Sequence, residues 1–271
     1  MTIPVHLALY GGASHLIVEE SERQNVSLHH LGSYADCLSE ILPERARLLS
    51  RYPTLHKFIS LRSLPIDDAS RVLYLDCDTF FFGNVMALFR KYEACHFYAR
   101  EEPSTRRSHN GYSASYLDED RLRETALSEG LAFVDPYNTG ICMLNHGLSQ
   151  TLAAASGLFL SYAWRLLVSL CHDRPAEVQC DTDFLDAVCA TLREPDLDSR
   201  LAYPSSNSWI LDEIATVLAL GGIHGLSHGV LRRNDALQNG EFWEYRVEPR
   251  PILVHYYSQF EDRFFRQVNR L

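Results

Sequence analysis

Residues 71–85 read RVLYLDCDTFFFGNV, an apolar run that meets two aspartates one residue apart, Asp76 and Asp78, and then turns apolar again. A carboxylate at the end of a buried strand is tolerated only where a cation neutralises it or where the strand opens on a wet cleft. Two carboxylates at this spacing, at a strand end followed by a turn, reach one hard divalent ion directly or through water. An imidazole added to such oxygen ligands shifts the preference from magnesium toward manganese or a similar transition metal. His255, at the end of the late apolar run ILVHYY, is placed to supply it. On spacing alone the triplet also fits a solvated turn, because acidic pairs occur by chance in many loops. The apolar residues on both sides favour a buried strand.

The elements that must position these residues alternate between short β-rich runs and helical stretches, which predicts an α/β fold. Val5 to Tyr10 reads as a first strand stopped by Gly11-Gly12, and Val26 to Leu31 as a second. The opening MTIPVHLALYGG therefore reads as a strand; it lacks the basic start and long apolar region of a signal peptide. Apolar residues at helical spacing predict helices over Leu38–Arg51 and Leu55–Leu64. Arg71 to Leu75 then delivers Asp76 to the carboxyl edge of the sheet, where ligands bind in open α/β folds. Residues 101–120 form a polar connection. YNTGICMLN, Tyr137 to Asn145, predicts a strand opened by an Asn-Thr-Gly turn, followed by helices over Leu148–Cys171 and Asp181–Leu192 and a last strand over Pro251–Tyr257. No repeat or linker divides the chain, so residues 1–271 are expected to form one domain.

Composition narrows the function classes. With 46% hydrophobic and 22% charged residues, the 271-residue chain can bury a sizeable core. Its formal charge of −10 argues against binding to nucleic acid or to anionic membrane. Of 25 cationic side chains only Lys57 and Lys91 are lysines. The seven cysteines are scattered with no CxxC pair, which indicates neither a disulfide framework nor a zinc site and makes a reducing cytoplasm the expected compartment. The apolar segment Leu148–Trp164 is interrupted by Ser149, Gln150, Ser156 and Ser161 and then meets Arg165, so it reads as a buried helix and not as a membrane span.

RVLYLDCDTFFFGNV resembles the signature of the GT-A nucleotide-sugar glycosyltransferases, particularly glycosyltransferase family 8 and its relatives: an apolar strand, DxD, a second apolar run and a small turn. Three later segments agree in order and spacing. YNTGICMLN resembles the family's Asn-Ser/Thr-Gly strand, DTDFLDAV (Asp181 to Val188) its Asp-Gln-Asp helix, and ILVHYY the strand that bears its metal-binding histidine. The resemblance implies a Rossmann-like mixed sheet flanked by helices, with residues 1–100 as the nucleotide-binding part and 101–271 as the acceptor-binding part and metal-histidine strand. It further implies that Asp76, Asp78 and His255 bind manganese or magnesium, and that this ion grips the diphosphate of a nucleotide sugar, with UDP-sugar the expected donor and retention the expected stereochemistry. Asp76 would also touch the donor, Asn138 and Gly140 would line the sugar and acceptor pocket, and Asp181 and Asp183 would sit beside the donor sugar. The acceptor would be a hydroxyl of a saccharide, small molecule or protein.

Thr182 stands where the family has Gln, and SQFEDRFFRQ replaces its Gly-x-x-Lys-Pro-Trp ending, so Arg263 or Arg266 would take the place of the diphosphate-binding lysine. Tyr10 remains as a base-stacking group on strand one. If the reaction inverts configuration, Asp183 or Asp181 is the first choice for the base. Asp181 also reads as a plain helix N-cap, the scattered His29, His30, His224 and His228 as structural, and Cys77 as a core residue facing away from the aspartates. LDCDT also fits the opening of haloacid dehalogenase-like phosphohydrolases, with Asp76 as nucleophile and Asp78 as acid/base, but those enzymes need a later lysine and none follows Lys91. A third alternative is a transferase-like protein that binds a nucleotide sugar without turning it over.

Overall fold

The computed structural model describes residues 3–11, 15–43, 46, 56–68, 70–101, 119–132, 134, 137–162, 211–238 and 251–255. They fall into two units whose segments interleave along the chain: Met1–Asp68, Pro103–Pro136 and Ser149–His224 in the first, Ala69–Glu102, Tyr137–Leu148 and Gly225–Leu271 in the second.

In the first unit, β1 (His6–Leu9) and β2 (Ser27–His30) pair in parallel with His6 opposite Ser27 and Leu9 opposite His30, joined through α1 (His15–Gln24). Asn25 ends α1 at φ 54, a left-handed position that Asn tolerates better than most side chains. Helix α2 runs Tyr34–Ile41, four residues earlier than apolar spacing placed its start, because Ser33 caps it by accepting the Asp36 N–H. Its regular turns stop at Ile41, two residues before Pro43. Helix α3 (Lys57–Leu61) carries Lys57, whose ammonium lies 2.7 Å from the Asp212 carboxylate with both side chains buried. After α5 (Glu119–Ser128) and α6 (Leu148–Ala154), residues 156–162 are helical again. Asp212 and Glu213 open α7 (Leu211–Gly221), where a negative charge complements the helix dipole.

The second unit holds the remaining elements: β3 (Val72–Leu75), β4 (Thr79–Phe81), α4 (Met86–Lys91), β5 (Phe97–Glu101), β6 (Tyr137–Leu144), β7 (His228–Val230), β8 (Ala236–Gln238) and β9 (Leu253–His255). They form a four-stranded sheet of order β3-β6-β5-β7 and a three-stranded sheet of order β4-β9-β8. Both are mixed: β6 is antiparallel to β3 and β5 while β5 is parallel to β7, and β9 is antiparallel to β4 and parallel to β8. The mixed α/β class expected from the sequence is the observed one.

All eight residues of β6 are buried, as suits a central strand covered on both faces. Its Ile141 and Met143 pack with Leu88, Tyr92, Tyr98, Leu231, Ala236 and Leu253 in the unit's core. Asn145 closes β6 by donating to the Tyr92 and Cys95 carbonyls and accepting from Arg71 Nε. Asn138-Thr139-Gly140, expected to be a turn, lies inside this strand. Its irregularity is a register shift: β5 steps from Ala99 to Arg100 while its partners in β6 jump from Cys142 to Asn138. Such a bulge re-aims the local backbone. On the other side the β3–β6 register runs unbroken, and its next step brings the Asp76 N–H to the Gly140 carbonyl at 2.9 Å.

Candidate metal centre

Strand β3 ends at Leu75, and the Thr79 N–H donates to the Asp76 carbonyl at 3.1 Å, closing a tight turn over Cys77 and Asp78. The chain re-enters a sheet as β4 at once, and Thr79, its first residue, stands in register opposite His255 of β9. The one-residue spacing of the aspartates, the four-residue turn and the β4–β9 register together bring His255 to the acidic pair.

Nε2 of His255 lies 3.2 Å from Asp78 Oδ1 and 3.6 Å from Asp76 Oδ2. One ligand atom from each of the three residues lies within 4.8 Å of the others. The imidazole is buried at 6% exposure, whereas the Asp76 and Asp78 side chains keep 21% and 37%, so the cluster is reached from the carboxylate side. Despite its distance from Nε2, Asp78 Oδ1 is buried and accepts no hydrogen bond from the described residues. A buried carboxylate oxygen without a donor is expensive. Two carboxylates and an imidazole nitrogen around it are a donor set that fits a divalent cation.

The expectation that Cys77 packs in the core is corrected: the strand period stops at Leu75, and the thiol is exposed on the turn. Partial burial and then the neighbouring Asp78 and Asp76 charges push this thiol above its ordinary range, which keeps it protonated at neutral pH.

On its other edge His255 is held by Asn138, whose Oδ1 lies 3.0 Å from Nδ1. Its ring rests on the bare backbone of Gly140: a Cβ built there would overlap Cε1, Nδ1 and Nε2. Gly140→Ala is therefore expected to displace the imidazole from the acidic pair, weakening Mn2+ binding ~10–100-fold, the range for lost outer partners of a metal ligand. Calorimetric titration with MnCl2 checks this, and unchanged affinity would show that the ring does not depend on that seat.

Of the other predicted site residues, Tyr10 belongs to the first unit, just past β1. Its hydroxyl lies 3.1 Å from Ser60 Oγ, and its ring packs edge-on against Tyr34 and His56 at centroid distances of 5.2 and 6.0 Å. Burial pushes the phenol up to about 12, so it stays neutral at physiological pH. Asp181, Thr182, Asp183, Arg263 and Arg266 lie outside the described residues. Thr79, whose register places His255, was not singled out from the sequence; the signal was its position directly after the DxD turn, at the start of an apolar run.

No family model matches the chain, and no curated protein matches it. Among solved structures, the chain is similar to mouse xyloside xylosyltransferase 1 in its apo form, at 13% identity and a TM-score of 0.47, over 92% of this chain and 82% of that one. A likeness that shallow carries no functional weight; the donor cluster does. Among the described residues no helix is long and apolar enough to cross a membrane.

Proposed function

We propose that this chain is a metal-dependent glycosyltransferase that moves a sugar from a nucleotide donor, a UDP-sugar, to an acceptor hydroxyl with retention of configuration. The observation that carries the reading is the convergence of Asp76, Asp78 and His255 on one point, where a buried carboxylate oxygen has no donor among the described residues. These three residues would hold the ion. When bound, a dication supplies charge stabilisation to the diphosphate leaving group, which gains most in the transition state. By the resemblance in the sequence, Asp181 and Asp183 accept hydroxyl hydrogen bonds from the donor sugar, Gly140 lines its pocket, Arg263 meets the diphosphate in place of the family's lysine, and Tyr10 stacks on the base. In this reading residues 1–271 serve as one GT-A-like domain, acting in the cytoplasm.

The test is a panel of nucleotide sugars in thermal unfolding with and without Mn2+, followed by donor hydrolysis assays on those that stabilise. A ligand at ~100 times its Kd adds ~2.7 kcal/mol, which is expected to raise Tm by ~5 °C or more. Stabilisation by a UDP-sugar only in the presence of Mn2+, with release of UDP, supports the reading. Stabilisation without turnover of any acceptor or water would reduce it to a binding protein. Release of phosphate from simple phosphomonoesters would replace it with the phosphohydrolase.

A further inference from the structure

Asn138 stands 4% exposed in the buried strand β6, with its amide oxygen between two donors. The Gly140 backbone N–H reaches Oδ1 at 3.2 Å, and His255 Nδ1 lies 3.0 Å from the same oxygen. A backbone N–H can only donate, so the amide edge turned toward Gly140 is the carbonyl and not the NH2. That settles the side-chain flip from the backbone. A carbonyl oxygen can only accept, so Nδ1 of His255 carries the hydrogen, and in the neutral ring Nε2 is left with its lone pair.

Nε2 is the atom that faces Asp78 Oδ1 and Asp76 Oδ2. A lone pair aimed at two carboxylate oxygens is an electrostatic misfit until a cation sits among them. Asp78 Oδ1, 3.2 Å from Nε2, accepts no hydrogen bond among the described residues.

We infer that Asn138 is a positioning residue for His255: β6, through the Gly140 N–H and the Asn138 carbonyl, selects the imidazole tautomer whose Nε2 accepts a dication. This rests on the metal reading above in that the freed lone pair serves the ion. It is a role beyond the sugar-pocket one implied by the resemblance, and it uses the amide oxygen, which Gly140 and His255 both approach.

Histidine-selective 15N NMR of the metal-free protein and Mn2+ binding by EPR decide it. In the wild type, His255 is expected in the Nδ1–H form. Asn138→Leu, which keeps the volume and removes the acceptor, is expected to mix the tautomers and to weaken Mn2+ binding ~10–100-fold. Asn138→Asp, whose carboxylate accepts the same two hydrogens, is expected to restore the Nδ1–H form and binding to within a few-fold of wild type. An Nε2–H ring in the wild type, or equal Mn2+ affinity in Asn138→Leu, overturns the inference. Should Asn138→Leu not fold, the wild-type tautomer and the Asn138→Asp comparison still decide. A wild type that binds no Mn2+ defeats the metal reading, while the tautomer signal separately decides the role of Asn138.

Discussion

Asp78→Ala and His255→Ala are each expected to lower Mn2+-dependent donor turnover by ~10³-fold or more, the scale on which loss of one electrostatic stabiliser acts in a preorganised site. Release of nucleoside diphosphate from the donor measures it. Each change removes one of three donors that span less than 4.8 Å, and no other His, Cys, Asp or Glu among the described residues joins them. The two losses differ in kind. Asp78→Ala removes charge from a half-exposed turn and, without metal, relieves two neighbouring carboxylates of mutual repulsion, so the Tm of the metal-free protein should hold or rise. His255→Ala opens a cavity beneath the turn and strips Asn138 Oδ1 of one donor, so its Tm should fall. Cys77→Ser, at an exposed position between the aspartates and outside the donor set, should leave turnover unchanged. Full turnover in either donor variant would remove the metal centre from the mechanism.

Lys57→Met is expected to destabilise the chain by ~3–5 kcal/mol, read as a lower urea midpoint, because it removes the ammonium from beside a carboxylate that stays buried. The pair is 2.7 Å apart, with side chains only 7% and 2% exposed, so solvent neither screens it nor rescues the survivor. Placement in the first turn of α7 offsets part of the loss. Replacing both partners, Lys57→Met with Asp212→Leu, should recover most of it, since an apolar pair of similar volume leaves no buried charge. A single variant as stable as wild type would show that the ammonium is not what compensates Asp212.

The acidic turn was legible because its signal is a contrast: four apolar residues, then two charges one apart. His255 was legible through the apolar run that carries it, which ends as the three-residue strand β9. What the sequence did not disclose are relations across strands. The β4–β9 register that sets Thr79 opposite His255 has no local signature, because a three-residue strand is too short to show a period. The same applies to β7 and β8. The bulge at Ala99/Arg100 exists only in the pairing, so Asn-Thr-Gly read as a turn by residue type although it lies within β6. Cys77 was misplaced by extending the strand alternation one residue too far. Helix α2 was started late because its first turn, Tyr34 to Cys37, has little apolar spacing and is defined by the Ser33 cap.

The imidazole of the cluster comes from the last described strand, while both carboxylates precede most of the chain. On the ribosome, the acidic turn leaves the exit tunnel long before β9 is translated. During that interval β4 has neither its ladder partner nor the Thr79–His255 pairing, and Phe81 is on an open edge. Capture of an ion by all three residues would thus have to follow translation of β9, and could not guide the folding of the segment before it.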